Sequence, residues 1–349
     1  MKKVLIVSLN FNPGHVSHMV ASYKQCEELG YESFYCVNPA FEPFLPKGSR
    51  ILKYGGDAYP QVELAIFLFP SQKNLSLIRK LKRRGSKIIY IFHEPLAHLS
   101  EYRKAGFSYT YLMRLWVIDH ISALTVKKSN VILIPSKKAV GLYETNSLYK
   151  NTNYHYLPLM YDDEQNEQLI ETPRQYFSYI GTIAADHSFV EYQNFVRWAL
   201  KEDRLSNLRF LIATKSEFEV PEDLQKSERV VIQKGRPLSD QEINACYASS
   251  YAVWNAYIRT TQSGVLAKSF MFGTPAIVLR KNLSEFTEDG REVVAIDDNT
   301  SLNEIEKAVL HVLQNFEVLS SNARNRFLDS FYYRNYNGVL KQIIESSKS

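Results

Sequence analysis

The stretch that decides the fold is TQSGVLAKSFMFGTPAIV, residues 261–278. An apolar strand precedes it, small residues form a turn, and the spacing of the following apolar residues predicts a helix that begins near Ser263. Gly273 is typical of a helix end, and Pro275 prevents the helix from continuing. The apolar run at residues 276–279 indicates another strand. The stretch therefore predicts a strand–helix–strand unit of a parallel sheet.

The turn before this helix has the composition of an anion site. Free backbone N–H groups at a helix N-terminus attract phosphate, and the helix dipole adds to that attraction. Thr261, Ser263 and Gly264 are small residues that let a phosphate approach the backbone. We therefore expect a phosphate-bearing ligand at this turn. The alternative is a tight connection between helix and strand that binds nothing.

The same alternation of strands and helices extends over most of the chain. A chain of 349 residues is too long for one ordinary core. Strands separated by helices occupy two blocks, and a polar stretch containing prolines lies between them. This pattern indicates two α/β domains with parallel sheets. We place the first domain at residues 1–160, a linker at 161–175 and the second domain at 176–330.

Charge is distributed unevenly between the two halves of the chain. Residues 1–160 contain 21 Lys and Arg against 10 Asp and Glu, a net charge of +11, whereas the remaining residues contain 21 against 27, a net charge of −6. A basic first domain suggests an anionic partner. The three cysteines, Cys26, Cys36 and Cys246, follow no disulfide or zinc pattern. They suit a reducing compartment, so we expect a cytoplasmic protein.

Two segments of the first domain are candidates for contact with that partner. Residues 79–87 are rich in Lys and Arg, and residues 109–116 combine aromatic and apolar side chains with Arg114. Together they predict peripheral contact with the inner face of a membrane. The alternative is core packing beside a solvated run of charge. We expect no nucleic-acid partner, because no recognised binding motif accompanies the charge.

Several motifs in their order along the chain resemble those of one enzyme class. The pattern Ser-Gly-Val…Phe-Gly-Thr-Pro-Ala-Ile-Val at residues 263–278 is similar to the donor-binding segment of GT-B nucleotide-sugar glycosyltransferases. The likeness is to the family-4-like group that builds bacterial surface polysaccharides. Looser matches to that family lie at residues 91–94, 132–136, 157–159, 181–182 and 234–242.

The resemblance implies an α/β fold of two Rossmann-like domains that face each other across a cleft. The nucleotide-sugar donor would bind the C-terminal domain, and a glycan or lipid-linked acceptor would bind the N-terminal one. Residues 331–349 would form a helix that crosses back to the N-terminal domain. A UDP-sugar is the favoured donor, as a substrate, and we expect neither a cofactor nor a metal. An Asp-x-Asp metal motif is missing from every predicted strand end.

The matched positions imply a donor site. Backbone amides of Ser263, Gly264 and Val265 would bind the pyrophosphate, with Thr261 in the preceding turn. Gly181 and Thr182 would line the phosphates from the other side. The remaining donor-binding candidates are Gly235 and Arg236 beside the base, Gly14 and His15 in the first loop, and the cations Lys215, Arg259 and Lys268.

His93 and Glu94 are the candidate catalytic residues. His93 ends a predicted buried strand, and Glu94 beside it would orient the imidazole or act itself. An inverting transfer needs a general base for the acceptor hydroxyl, and histidine suits that task near neutral pH. His15 and His18 lie in the first loop and could contact donor or acceptor. The alternative for each histidine is local hydrogen bonding without a catalytic role.

Departures from the family pattern keep other functions open. Many members carry two glutamates eight positions apart, where this chain has Thr260 and Lys268. One alternative is therefore a non-catalytic GT-B subunit that binds a partner protein. A second is a sugar-nucleotide epimerase, against which the missing carboxylates count. A dinucleotide oxidoreductase is not expected, because residues 10–14 lack the Gly-x-Gly-x-x-Gly phosphate loop.

Overall fold

The computed structural model describes residues 2–55 and 60–346. The chain divides into two compact units: Met1–Asp162 with Phe331–Ser349, and Asp163–Ser330. Each unit is an α/β layer structure with its own six-stranded, fully parallel sheet. No helix in the described part of the chain is both long and apolar enough to span a bilayer.

The first unit is built on strands in the order β2-β1-β3-β4-β5-β6. The strands are β1 (Lys2–Ser8), β2 (Tyr31–Val37), β3 (Leu64–Phe67), β4 (Lys87–Ile91), β5 (Val131–Ile134) and β6 (Tyr154–Tyr156). The helices are α1 (Val16–Glu28), α2 (Gln72–Arg83), α3 (Leu99–Lys104), α4 (Tyr109–Lys128) and α5 (Lys137–Thr145). Strands β3 and β5 are buried along their whole length, as expected of a parallel sheet covered on both faces.

The second unit has the strand order β12-β11-β10-β7-β8-β9. Its strands are β7 (Tyr176–Ile180), β8 (Arg209–Ala213), β9 (Val230–Gln233), β10 (Ser250–Asn255), β11 (Ala276–Leu279) and β12 (Val293–Ile296). Its helices are α6 (Glu167–Ile170), α7 (Phe189–Ala199), α8 (Glu222–Gln225), α9 (Asp240–Ala248), α10 (Gly264–Met271), α11 (Leu302–Gln314) and α12 (Phe316–Ser330). An aromatic core, including Phe177, Tyr192, Phe195, Phe210 and Trp254, lies between sheet and helices.

The last helix, α13 (Asn337–Ser346), belongs to the first unit. The segment that leads into it is fastened to α1 by Glu28, which accepts hydrogen bonds from the Tyr333 hydroxyl (2.7 Å), Arg334 Nε (2.9 Å) and Asn337 Nδ2 (2.9 Å). Gln25 Nε2 adds a bond to the Tyr333 carbonyl at 3.2 Å. The end of the described chain therefore packs on the unit with which the chain begins.

Local signals position most of these elements. Helices α2, α4, α5, α9, α10 and α11 each begin at a serine whose hydroxyl accepts a backbone N–H of the first turn. A capping box joins Ser239 and Glu242 at the start of α9. Gly273 has a φ of +64° just after α10, as a helix-ending glycine should. The residues assigned to the linker include the short helix α6, and residues 163–175 lie in the second unit.

Candidate functional site

The sheet of the second unit changes winding direction between β7 and β10. From β7 the chain moves outward through β8 to β9, and it then returns to place β10 on the other side of β7, followed by β11 and β12. In an open parallel sheet, ligands bind beyond the carboxyl ends of the two strands at such a switch point. The loops that follow β7 and β10 are therefore the primary candidates for a binding site.

The loop after β7 approaches the first turn of α10 closely. Gly181 has a φ of +133°, a conformation that other residues rarely adopt. A Cβ atom on Gly181 would lie 3.4 Å from Val265 Cγ2 and 3.9 Å from the Tyr257 hydroxyl. The structure thus brings together Gly181 and Val265, two predicted donor-binding residues that are far apart in sequence. A glycine here keeps the loop in contact with the helix start.

The start of α10 presents backbone amides at the same place. Ser263 is the N-cap: its hydroxyl accepts the Leu266 amide at 3.3 Å and the Asn255 Nδ2 donor at 2.9 Å. First-turn amides have no acceptor within a helix, so Gly264 and Val265 present donors at its positive end. Thr261 and Ser263 are buried, whereas Gly264 is exposed. This arrangement suits an anion that approaches from solvent.

Polar groups that the sequence motifs did not indicate complete this loop pair. Asp186 lies 3.8 Å from Arg259 and 3.8 Å from His187 Nε2, and its carbonyl accepts the Ile258 amide at 2.7 Å. His187 stacks on Tyr257, with ring centroids 4.2 Å apart, and its Nδ1 donates to the Thr182 carbonyl at 2.6 Å. Arg259 is held at the switch point by an ion pair with limited solvent access.

Asp186 and Tyr257 were missed because neither belongs to a recognised motif. Their position one loop beyond a predicted strand end was the signal that could have found them. Burial raises the pKa of the Tyr257 hydroxyl, and the nearby Asp186 charge adds to the rise. The hydroxyl therefore stays protonated at neutral pH and remains available as a hydrogen-bond donor.

The other predicted cations lie in different surroundings. Lys215 follows β8, the neighbour of β7. The residue as a whole is exposed, but partial burial of the ammonium group lowers the pKa of Lys215. Gly235 and Arg236 follow β9, the edge strand, two strands from β7. Arg236 forms an ion pair with Glu242, in which Nη1 lies 3.2 Å from Oε2. This pairing lowers the pKa of the Glu242 carboxyl to about 2.

Lys268 lies on the inner face of α10, and little of it is exposed. Its ammonium donates to Glu164 at 2.6 Å and to the Asn244 side-chain oxygen at 3.1 Å, while Asn244 Nδ2 donates to Glu164 at 2.9 Å. The charge of Lys268 is therefore matched within the second unit. Sequence reasoning missed Glu164 and Asn244, because no local pattern links residues separated by 104 and 24 positions.

The first unit gathers three histidines at the carboxyl edge of its own sheet. Here the winding changes between β1 and β3, and the loops after them carry His15 and Phe69. The His15 ring stacks on Phe69 with centroids 3.3 Å apart, and His93, after β4, lies 5.8 Å from Phe69. His18, whose Nδ1 donates to the Met160 carbonyl at 3.2 Å, lies 6.3 Å from His93.

His93 is partly buried and Glu94 is exposed. Burial lowers the pKa of the His93 imidazole, and the Glu94 charge opposes that change without cancelling it. A neutral imidazole at neutral pH can accept a proton. Gly14 lies at the same edge of the sheet. It is exposed, and its backbone amide donates to the Asn12 side chain at 3.3 Å. The structure thus places Gly14, His15 and His93 at one edge of the first sheet.

Two consecutive six-stranded parallel sheets with flanking helices define the GT-B fold. No protein-family model matches the chain, and no curated protein matches it in sequence. Among residues 2–55 and 60–346, no three His, Cys, Asp or Glu side chains are grouped so that they could hold a metal ion. Because neither sequence comparison finds a match, the similarity of this chain to known proteins lies in its fold.

Solved structures share that fold over essentially the whole chain. HepE of Anabaena in complex with UDP-glucose aligns with a TM-score of 0.71 and 11% identity, covering 99% of this chain and 100% of that one. A glycosyltransferase of Rickettsia africae aligns at 0.68 and 8%, covering 100% and 99%. Sucrose-phosphate synthase of Thermosynechococcus elongatus aligns at 0.67 and 12%, covering 99% of each chain.

The fold is not restricted to one activity. The UDP-GlcNAc 2-epimerase of Methanocaldococcus jannaschii also aligns, with a TM-score of 0.61 and 13% identity, covering 98% of this chain and 99% of that one. Identities of this size show a common fold only. Function depends on the residues of the site, which a shared fold does not fix.

Proposed function

We propose that the protein transfers a sugar from a nucleoside-diphosphate sugar, with UDP-sugar favoured, to a glycan or lipid-linked acceptor without a metal ion. The observation that carries this proposal is the contact between the Gly181 loop and the first turn of α10 at the switch point of the second sheet. A glycine loop facing helix-terminal amides is a site for a diphosphate. Similar structures in complex with UDP or UDP-glucose support this choice of ligand.

The second unit would hold the donor. Amides of Ser263, Gly264 and Val265 would bind the diphosphate, with Thr182 on the opposite side. Arg259 and Lys215 would supply positive charge near the phosphate oxygens. Gly235 and Arg236 remain predicted contacts to the base. Because Lys268 donates hydrogen bonds to Glu164 and Asn244, we propose that it positions α10 and does not contact the phosphates.

The chemistry follows from these groups. The acceptor hydroxyl oxygen forms a bond to the anomeric carbon while the bond from that carbon to the phosphate oxygen breaks. Negative charge then develops on the departing diphosphate, where the helix dipole and the cations stabilise it. In an inverting transfer, the hydroxyl proton goes to the neutral imidazole of His93, and Glu94 offsets the charge of the imidazolium that forms.

An acceptor attached to a membrane lipid would suit the basic first unit. Its excess of Lys and Arg favours an anionic surface, in line with a role in the synthesis of surface polysaccharide or a related glycoconjugate at the cytoplasmic face. We therefore propose a cytoplasmic, peripherally bound enzyme. The first-loop residues Gly14 and His15 remain predicted contacts to donor or acceptor.

Calorimetric titration with UDP, GDP and CMP in the presence of EDTA tests the donor site. We expect micromolar binding of UDP and weaker binding of the other two. Lys215→Met should weaken UDP binding about fivefold, because a partly exposed cation–phosphate contact contributes about 1 kcal/mol. Lys201→Met is the matched control: Lys201 is exposed and precedes β8, at the opposite edge of the sheet. Absence of binding by any nucleotide would contradict the proposal.

A non-catalytic subunit is the second candidate. It is favoured by the engagement of Lys268 with Glu164, and by Thr260 at the other position where similar enzymes carry a glutamate. Such a subunit would bind a partner protein and show no nucleotide-dependent turnover. Hydrolysis or transfer of UDP-[14C]glucose that is lost in His93→Gln would argue for the enzyme.

An epimerase is the third candidate, since one aligns in fold. It would have to act on the sugar of UDP-GlcNAc without an acceptor. Incubation of UDP-GlcNAc with the protein alone distinguishes the two activities. A 2-epimer detected by NMR would favour epimerisation, whereas unchanged sugar together with acceptor-dependent UDP release would favour transfer.

A further inference from the structure

An open cavity of about 530 Å³ lies within the first unit, and we call it the α1 cavity. It is lined by one face of α1 over residues 20–28, by Tyr35 of β2, by the loop at residues 46–50, and by Asp162 and residues 333–334. Its volume is within the range of small-molecule sites, roughly 300–1,000 Å³. None of its lining residues is a predicted donor-binding or catalytic residue.

The charged groups that line the α1 cavity are largely matched with one another. Three ion pairs join cations and carboxylates of the lining: Arg50 with Glu27, Arg334 with Glu28, and Lys24 with Asp162. The fourth cation of the lining is Lys47, which is exposed. A strongly charged anion gains little from cations that carboxylates already neutralise. The pairs still offer hydrogen bonds, because a guanidinium has five donors and a carboxylate has about four acceptor positions.

Three tyrosines add aromatic surface and hydroxyl groups to this lining. The Tyr23 ring stacks on the Tyr35 ring with centroids 4.5 Å apart, and the Tyr23 hydroxyl accepts from Arg50 Nη1 at 3.1 Å. The Tyr333 hydroxyl donates to Glu28 at 2.7 Å. A sugar ring has an apolar C–H face that packs on an aromatic ring, and hydroxyls at its edge that need polar partners. The α1 cavity offers both kinds of contact.

The Tyr35 hydroxyl is a buried polar group that a ligand hydroxyl would satisfy. Tyr35 is 1% exposed, and no residue that the structure describes forms a hydrogen bond with its hydroxyl. Burial raises the pKa of Tyr35, and the nearby Tyr23 and Glu27 add to the rise. Because both neighbours line the α1 cavity, the hydroxyl lies on the cavity side of the ring. It stays protonated at neutral pH and is a donor without an acceptor, which is costly in a folded protein.

We propose that the α1 cavity is a binding site for a neutral saccharide, separate from the site of transfer. The C–H face of the sugar packs on the Tyr23 ring, and its hydroxyls bond to Arg50, Glu27 and the Tyr35 hydroxyl. A sugar hydroxyl both donates and accepts, so it bonds the cation and the carboxylate of one ion pair together. Matched charge in the lining favours this ligand over a phosphate or a sulfated sugar. Binding in the α1 cavity requires neither a nucleotide nor the transfer reaction.

Calorimetric titration of the full chain tests the proposal. Cellobiose, maltose and chitobiose are the neutral probes, and inorganic phosphate is the anionic one. We expect at least one disaccharide to bind with a millimolar or lower Kd, and phosphate not to displace it. Arg50→Met should weaken that binding about tenfold, because a charged donor to the sugar is lost. The matched control is Arg197→Met, which removes an ion pair of similar exposure in the second unit and should bind the disaccharide normally.

A second variant, Tyr35→Phe, separates binding from folding. It removes a hydroxyl that no described residue bonds, so the urea midpoint should stay the same or rise, whereas disaccharide affinity should fall about fivefold. Tyr54→Phe is its control, because the Tyr54 hydroxyl bonds to Ser76 at 2.9 Å and Tyr54 does not line the α1 cavity. This control should leave disaccharide affinity unchanged.

Three outcomes would overturn the proposal. The first is that none of the three disaccharides binds, and the second is that Arg50→Met and Tyr35→Phe bind the disaccharide as well as their controls do. The third is binding that is lost in His93→Gln and kept in Arg50→Met, which would place the sugar at the edge of the first sheet. UDP titration of the α1 cavity variants should be unchanged, so failure of the donor site is distinguishable from failure of this one.

Discussion

His93 illustrates how a single residue obtains its chemistry from its surroundings. It follows β4, at the edge of the sheet where His15 and His18 also lie, and its ring is close to that of Phe69. Burial lowers the pKa of its imidazole. The neutral form therefore persists to a lower pH than in an exposed histidine, whose pKa is about 6.5.

His93→Gln should lower kcat/KM by a factor of about 100 or more, because general-base assistance contributes on that scale. In the unchanged protein, kcat/KM should decline on the acid side only at a pH below the ordinary histidine pKa. The reason is that His93 is protonated, and so inactive as a base, only at that lower pH. His155→Gln is the control, as His155 lies in edge strand β6. An unchanged pH profile in His93→Gln would assign the proton transfer to another group.

At the scale of elements, Arg174 ties together the ends of α9, β10 and α10. Its guanidinium donates to the Tyr247 and Ser250 carbonyls at 3.0 Å each, to the Thr274 hydroxyl at 2.8 Å and to the Phe272 carbonyl. One side chain thus donates hydrogen bonds to carbonyl groups at three connections of the second unit. It stabilises the frame that carries the start of α10.

Arg174→Met should lower the free energy of unfolding by about 3 kcal/mol or more, because several buried acceptors lose their donor at about 1–3 kcal/mol each. Urea denaturation followed by tryptophan fluorescence measures the change. The comparison variant is Arg197→Met, which removes an exposed pair with Asp223 at 2.7 Å and should cost less than about 1 kcal/mol. Equal losses in the two variants would refute the role given to Arg174.

For the whole molecule, the two units have separate cores and are expected to respond differently to a ligand. UDP at about 100 times its dissociation constant should add about 2.7 kcal/mol to the free energy of unfolding of the unit that binds it. Hydrogen exchange with UDP and EDTA should show protection at residues 181–188 and 261–265. Protection confined to the first unit would place the nucleotide elsewhere.

The sequence by itself determined the alternation of strands and helices, the division into two α/β blocks and several boundaries. Strand β11 was predicted to the residue, and the helix start at Ser263 and the helix end at Gly273 were also correct. These features arise from interactions between residues a few positions apart, which a local pattern records. Strand β6 and helix α5 were missed, because β6 has only three residues and α5 buries only Ala139 and Tyr143.

Only the tertiary structure decided which side chains meet. Lys268 was predicted to pair with phosphate, and it contacts Glu164, which lies 104 positions earlier. Arg259 contacts Asp186, and Gly181 lies against Val265. Met113 and Trp116 on α4 face solvent, although the composition of residues 109–116 equally suited a core. Strand order and packing set these pairings. Their energies depend on distance and burial in the folded chain, to which spacing along the sequence gives no access.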